Sequence, residues 1–199
     1  MTPEEEFIVD LEEYLVIKNV LTVGEVVELN RIIDRGERQG KPSLWDDPFK
    51  KLIDHPKILP YLLELLGAYV RLDHDYAIFM DQGTSRGGLH GGPDIVGDHW
   101  YKCRDGTIRN GLSVVTYAQQ MLMKAMVVLL AFREALIHGT KPWTASHERR
   151  SLLYKYSSGH SAWCLNYYDL ESYGGLTEQQ QRMLLPPSIG NRPKVDADL

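Results

Sequence analysis

The rhythm of apolar and polar positions changes partway along the 199 residues. In the first third the spacing is helical. Phe7, Ile8, Leu11 and Leu15 follow Thr2-Pro3, an N-cap with proline at the first helical position. Thr22 and Glu25 have the separation of a capping box, with Val26, Leu29 and Ile33 forming a stripe behind them and Gly36 as the stop. Between these helices, Tyr14 to Val20 reads as a short strand, rich in β-branched residues. Residues 36–47 are polar, contain Gly40 and Pro42, and read as loop. Asp47-Pro48 opens a further helix. His55-Pro56 interrupts it, and Pro56 to Leu66 is its main piece, with Ile58, Leu62, Leu65 and Leu66 on the apolar face and Gly67 at its end.

From Ala68 the period becomes two. Val70, Leu72, His74, Tyr76, Ile78 and Met80 alternate with Tyr69, Arg71, Asp73, Asp75, Ala77 and Phe79, which predicts one long strand. A glycine-rich stretch follows, holding His90, Asp94, Asp98, His99, Trp100 and Tyr101; such loops on a rigid scaffold often carry sites. Leu112 to Ala118 and Ser151 to Tyr156 read as strands. Met126 to Ile137 is a buried strand, or a helix if its methionines dominate, and Gln119 to Lys124 fits neither pattern. A late helix spans Thr177 to Leu185, Pro186-Pro187 stops it, and the rest reads as frayed coil. Helices first and strands later predict an α+β, mainly β, antiparallel arrangement in a single domain over 1–199. Its parts are a helical portion (1–67), strands (68–160) and a tail (161–199).

Composition changes this picture mainly by exclusion. The net charge is −5 and the basic residues are scattered, which argues against a nucleic-acid partner. Hydrophobic residues make up 43% and charged residues 25%, ordinary for a soluble globular chain. Cys103 and Cys164 lie in no CxxC pattern. The start, MTPEEEF, lacks the basic and apolar regions of a signal peptide, and no apolar run reaches the ~18 residues of a membrane span. The expectation is a reduced, soluble, cytoplasmic protein with no membrane partner.

The stretch from Ala135 to Tyr156 concentrates the candidate chemistry. His138 ends an apolar run, a polar turn with Gly139, Pro142 and Trp143 follows, and Arg149 and Arg150 open the next run. Strand, turn and strand would let His138 and Arg149 face one cavity. Imidazole suits iron, zinc or copper, and guanidinium grips a carboxylate. The plainer reading of His138 is a strand-end residue that caps its turn. His90 sits in Gly87-Gly88-Leu89-His90-Gly91-Gly92, where glycines let the backbone bend around what the side chain holds, or where the histidine is incidental to a flexible loop. His74 reads as a core histidine, and His147 and His160 as surface residues. His99 and Asp98 are adjacent and point apart on a strand. No GxSxG, P-loop, GxGxxG or HExxH motif is present.

On these residues the chain resembles the phytanoyl-CoA dioxygenase family over roughly residues 5–193. Three stretches carry the resemblance: Arg71 to Met80 with Leu89-His90-Gly91-Gly92-Pro93, then Arg104-Asp105-Gly106 through Leu112-Ser113-Val114-Val115, and above all Glu134-Ala135-Leu136-Ile137-His138-Gly139-Thr140 through Arg149 to Tyr156. The resemblance implies a double-stranded β-helix, or jelly-roll barrel, and an Fe(II)- and 2-oxoglutarate-dependent oxygenase that consumes dioxygen and releases succinate and CO2. It implies His90 and His138 as iron ligands and Arg149, eleven residues after His138, as the anchor of the oxo-acid's far carboxylate. Trp100, Tyr101 and Trp143 are candidates for lining the substrate side, or are ordinary core aromatics.

Two departures stand out. The family pairs its first histidine with an aspartate two residues on, where this chain has Gly92. Asp94 would then supply the carboxylate, or the site would bind iron with two histidines and an exogenous anion as in halogenating relatives, or it would be inactive. Also, Ala118 and His138 are only twenty residues apart, so a middle section of the barrel is missing. The resemblance therefore leaves three functions: hydroxylation of a small organic substrate, a halogenase-like variant, and a non-catalytic binding or structural module. The barrel would be truncated, or completed by a second copy in a homodimer.

Overall fold

The computed structural model describes residues 1–36, 38–90, 113–118, 127–133, 138–165 and 167–196. Among these residues no helix is long and apolar enough to cross a membrane. The first helix, α1 (Pro3–Glu12), and the second, α2 (Val23–Asp34), each start at a complete capping box, Thr2 with Glu5 and Thr22 with Glu25. Each box satisfies two helix-terminal N–H groups that would otherwise lack partners. A short strand, β1 (Leu15–Lys18), lies between them. The expected stripe of α1 is not its buried face: Phe7 and Leu11 are each 65% exposed, and Val9 packs inward instead. On α2 the buried residues are Leu29, Ile32 and Ile33.

Helix α3 (Asp47–Lys50) is capped by Asp46, and the chain then turns through His55 before α4 (Leu59–Leu66). The His55 carbonyl accepts from the N–H groups of Ile58 and Leu59, so this helix starts three residues after Pro56. Gly67 ends it at φ +83°, a left-handed conformation that suits only glycine well.

Five strands form one antiparallel sheet in the order β1-β4-β3-β5-β2, where β2 is Arg71–Met80, β3 Ser113–Ala118, β4 Val127–Arg133 and β5 Arg149–Ser157. The Met126 to Ile137 run is thus a strand at its centre. The described residues form no closed barrel. Strands β3 and β4 are antiparallel with Ala118 opposite Val127, and β4 already uses seven of the twenty residues before His138. Edge strand β1 is only four residues long, which limits its exposed ladder.

One face of the sheet carries the core. Leu152, Tyr154 and Tyr156 of β5 and Val115 and Tyr117 of β3 pack with Phe49, Leu52, Ile53, Ile58 and Leu62 from the helical part. Three sheet tyrosines also hold the turn after α3. Tyr154 donates to the Phe49 carbonyl at 3.0 Å, Tyr117 to Leu52 at 3.2 Å, and Tyr156 is shared between Leu52 and Ile53 at 3.1 and 3.0 Å. The Leu52 and Ile53 carbonyls lie beyond α3, and the phenols give these buried groups partners there. Burial pushes all three phenols above their usual range.

The tail is not frayed. After α5 (Glu178–Leu184) the chain stays irregular, yet Val195 is 3% exposed and its N–H bonds the Ala68 carbonyl at 2.8 Å. Arg192 explains this, because its guanidinium donates to the carbonyls of Arg182, Leu185 and Pro186 and its Nε to Tyr69. The proline pair stops the helix without freeing the chain.

Candidate functional site

The other face of the sheet opens on a cavity of about 310 Å³. Alternation sets its floor. On β5, Arg149, Ser151, Leu153 and Lys155 line it while Arg150, Leu152, Tyr154 and Tyr156 face away; on β2 the lining residues are Tyr76, Ile78 and Met80. The choice between the two adjacent arginines is made on the far side. Arg150 bonds Asp34 at 2.6 Å and Asn30 at 2.8 Å on α2, and Glu148 at 2.9 Å, and Glu148 in turn pairs with Arg38 at 2.7 Å. With Arg150 held against α2, Arg149 must face the cavity.

The second wall is a ribbon made from residues 83–90 and 138–143. Gly83 N–H bonds the Trp143 carbonyl at 2.7 Å, Trp143 N–H the Thr84 carbonyl at 2.9 Å, and Arg86 N–H the Thr140 hydroxyl at 3.0 Å. At its end His90 and His138 exchange both backbone hydrogen bonds, at 2.8 and 2.7 Å, as an antiparallel bridge. Their rings lie 4.2 Å apart between centres, tilted by 54°. The Gly88 carbonyl contacts His90 Nδ1 at 2.8 Å. A carbonyl only accepts, so Nδ1 is the donor in this contact, which leaves Nε2 as the ring nitrogen turned to other partners. A glycine is required beside this bridge. A Cβ on Gly139 would lie 2.9 Å from the Gly88 carbonyl oxygen. Gly139→Ala is therefore expected to push the two strands apart and weaken divalent-metal affinity about ten-fold or more, as second-sphere changes do, while the melting temperature moves little. Metal titration alongside a thermal melt checks both.

The expected residues thus divide. His90, His138 and Arg149 line one cavity. Asp94, Gly92, Asp98, His99, Trp100 and Tyr101 lie outside the described residues. Trp143 is not part of the lining; it backs Arg149, whose guanidinium carbon sits 6.0 Å from its ring centre. His147 is half-buried rather than on the surface, with its ring 5.5 Å from that of Trp143.

Two lining residues escaped the sequence reading. Ser151 Oγ is buried and, among the described residues, has no hydrogen-bond partner. It lies two residues from Arg149 on the same face, where a ligand oxygen would satisfy it. Lys155 is 7% exposed, with Nζ 5.6 Å from the ring centre of Tyr76. Both belong to the period-two row begun by Arg149, a signal already present in Arg149-Arg150-Ser151-Leu152-Leu153-Tyr154-Lys155.

Among the described residues, Asp73, His74 and Cys164 form a group of three ligand side chains close enough to share a metal. The Asp73 oxygens are already occupied, however: one accepts from Arg71 at 2.7 Å and the Trp163 N–H at 2.8 Å, the other from His74 at 2.7 Å and the Cys164 N–H at 3.2 Å. This is a structural hub with no acceptor to spare.

No family profile and no curated protein matches the chain. Solved structures do match its fold, among them proteins solved with iron or nickel and with 2-oxoglutarate bound. HygX from Streptomyces hygroscopicus, solved with nickel and 2-oxoglutarate bound, superposes with a TM-score of 0.65 at 18% identity, covering 81% of this chain and 88% of its own. The non-heme monooxygenase ThoJ, a nickel complex, gives 0.54 at 15% identity over 92% and 87%. CytC3 with Fe(II) and α-ketoglutarate gives 0.52 at 15% over 80% and 78%.

Proposed function

We propose that the chain is an Fe(II)- and 2-oxoglutarate-dependent dioxygenase acting on a small organic substrate, a reduced member of the phytanoyl-CoA dioxygenase group. The observation that carries this reading is the His90–His138 pair, with its rings 4.2 Å apart in the cavity that Arg149 also enters. Two imidazoles with open positions suit ferrous iron, and Asp94 is the proposed oxygen ligand. The residues fit the cosubstrate as well. A half-buried guanidinium and an orphaned buried hydroxyl, Ser151 Oγ, share one face and could receive a single carboxylate.

In this mechanism His90 and His138 hold the metal through ring nitrogens oriented by the backbone bridge and by Gly88. Arg149, backed by Trp143, fixes the far carboxylate of the oxo-acid and so sets which end meets the metal. Ile78, Met80 and Leu153 keep that side of the cavity apolar and limit water. When bound, iron and oxo-acid supply the oxidising chemistry that uses dioxygen on a substrate C–H bond. The test is an anaerobic titration with Fe(II) and then 2-oxoglutarate, followed by visible absorption. A charge-transfer band saturating at about one equivalent is expected; no band from folded protein would overturn the reading.

A further inference from the structure

We infer that Tyr14 is a contact residue for the primary substrate, which lays an apolar body against its ring at the end of the cavity away from Arg149. The assignment rests on the oxygenase reading above, in which Arg149 is taken by the oxo-acid.

The register of the sheet places Tyr14. Leu15 is opposite Leu130, Leu130 opposite Val115, and Val115 opposite Tyr154. Leu15 and Tyr154 are both core residues. Tyr14, one position earlier, therefore turns to the cavity, which it lines, and stands about level with Lys155. Arg149 is six positions from Lys155 along β5, about 20 Å at ~3.3 Å per residue. β1 is also three strand steps from β5, about 14 Å at ~4.8 Å per step. A five-carbon dicarboxylate with bonds of about 1.5 Å spans less than half of the first distance. Held at Arg149, the oxo-acid does not reach Tyr14, and that end is left to the other reactant.

Between the two ends the cavity face of the sheet runs in rows. Met80 is opposite Arg149, Ile78 opposite Ser151, and Tyr76 and Thr116 flank Leu153. Beyond Ser151 this floor is mainly carbon, so it suits an apolar body. Tyr14 is held to meet it. Glu13 ends α1 at φ +60°, in the left-handed region that a glycine enters more cheaply, with its N–H on the Val9 carbonyl at 2.9 Å. Val9 and Leu15 are buried on either side, whereas Tyr14 itself is 38% exposed. The backbone is thus fixed while the ring keeps an open side, and an aromatic face gains from an apolar ligand that covers it. Tyr14 is also the one described lining residue that comes from neither the sheet strands nor the ribbon, so its substitution leaves both walls in place.

The test uses the nickel-loaded full chain with 2-oxoglutarate bound and indole as the probe, with binding read by ligand-observed NMR. Tyr14→Ala should weaken indole binding about five-fold or more. Tyr14→Phe should stay within about two-fold of the unaltered chain, because the ring face and not the hydroxyl makes the contact. Nickel and 2-oxoglutarate affinities should hold in both variants. Tyr14→Ser replaces the alanine variant if that variant loses its melting transition. Indole binding that ignores loss of the ring, or no indole binding to the unaltered chain, overturns the inference and leaves the oxygenase reading intact. A fall in 2-oxoglutarate affinity on loss of the ring also overturns it, since Tyr14 would then shape the oxo-acid site. Failure of the unaltered nickel-loaded chain to bind 2-oxoglutarate overturns the oxygenase reading on which the inference rests.

Discussion

Replacing Arg149 with alanine is expected to weaken 2-oxoglutarate binding by roughly ten- to a hundred-fold, the equivalent of about 1.5–3 kcal/mol for a charge-assisted contact. The expectation follows from how the side chain is held. Arg150 is fixed to α2 through Asp34 and Asn30, so the alternation of β5 sends Arg149 into the cavity, and Trp143 stands behind it. The guanidinium is therefore preorganised, and little entropy is lost when it closes on a carboxylate. Arg149→Lys should recover only part of the affinity, since an ammonium is a point charge without a planar fork. The readout is the oxo-acid concentration that half-saturates the charge-transfer band, with metal affinity as control. If that concentration is the same in Arg149→Ala as in the unaltered chain, Arg149 does not hold the cosubstrate.

How far could this site be read from the chain itself? His138 and Arg149 were legible because a turn of fixed length joins two strands, and strand alternation is a strict rule. His90 was legible as a candidate because of its glycines, yet its pairing with His138 was not. That bridge depends on long-range contacts such as Gly83 with Trp143, and hydrophobic period carries no information about a polar ribbon. The helix starts were clear, since Thr2, Thr22 and Thr177 cap through local hydrogen bonds. The buried side of α1 was not, because packing chose Val9 over Phe7 and Leu11. On β2, alternation was visible, but it did not say which row faces water, and Arg71, Asp73 and Asp75 carry the charges of such a face. That row is buried instead. Asp75 accepts from the Ser43 N–H and Tyr168 hydroxyl, both at 2.7 Å, and burial raises its carboxyl above the usual range. Polar residues read as exposed until their partners, here more than thirty and ninety residues away, are known.

Asp73→Ala is expected to cost about 3–5 kcal/mol, among the largest single effects in the chain, because it would leave a buried charge uncompensated. Arg71 and Asp73 are both fully buried and bonded at 2.7 Å. Arg192 lies close enough that burial and the Arg71 charge lower its guanidinium to about 10. Asp73 is thus the counter-charge for a buried cationic pair, and it also accepts the Trp163 and Cys164 N–H groups. Burial alone would raise its carboxyl; the His74 contact, the Trp163 N–H and the Arg71 charge outweigh that and hold it below the usual range. The sign follows. A carboxyl whose folded value is depressed adds stability that is fully present above the unfolded value of about 3.9 and lost as pH falls through the lower folded value. Urea unfolding between neutral pH and pH 2 should show this loss in the unaltered chain and a flatter profile in Asp73→Asn. Asp75, raised by burial, works in the opposite sense, so the difference between the two proteins is the quantity to read. The effect should also reach the cavity. His74, held by Asp73, stacks on Tyr76 with ring centres 5.8 Å apart, and Tyr76 in turn faces Lys155. A milder Asp73→Asn variant that stays folded should therefore loosen the Tyr76 wall of the cavity while leaving 2-oxoglutarate binding at Arg149 nearly unchanged, because only the first of these rests on the hub.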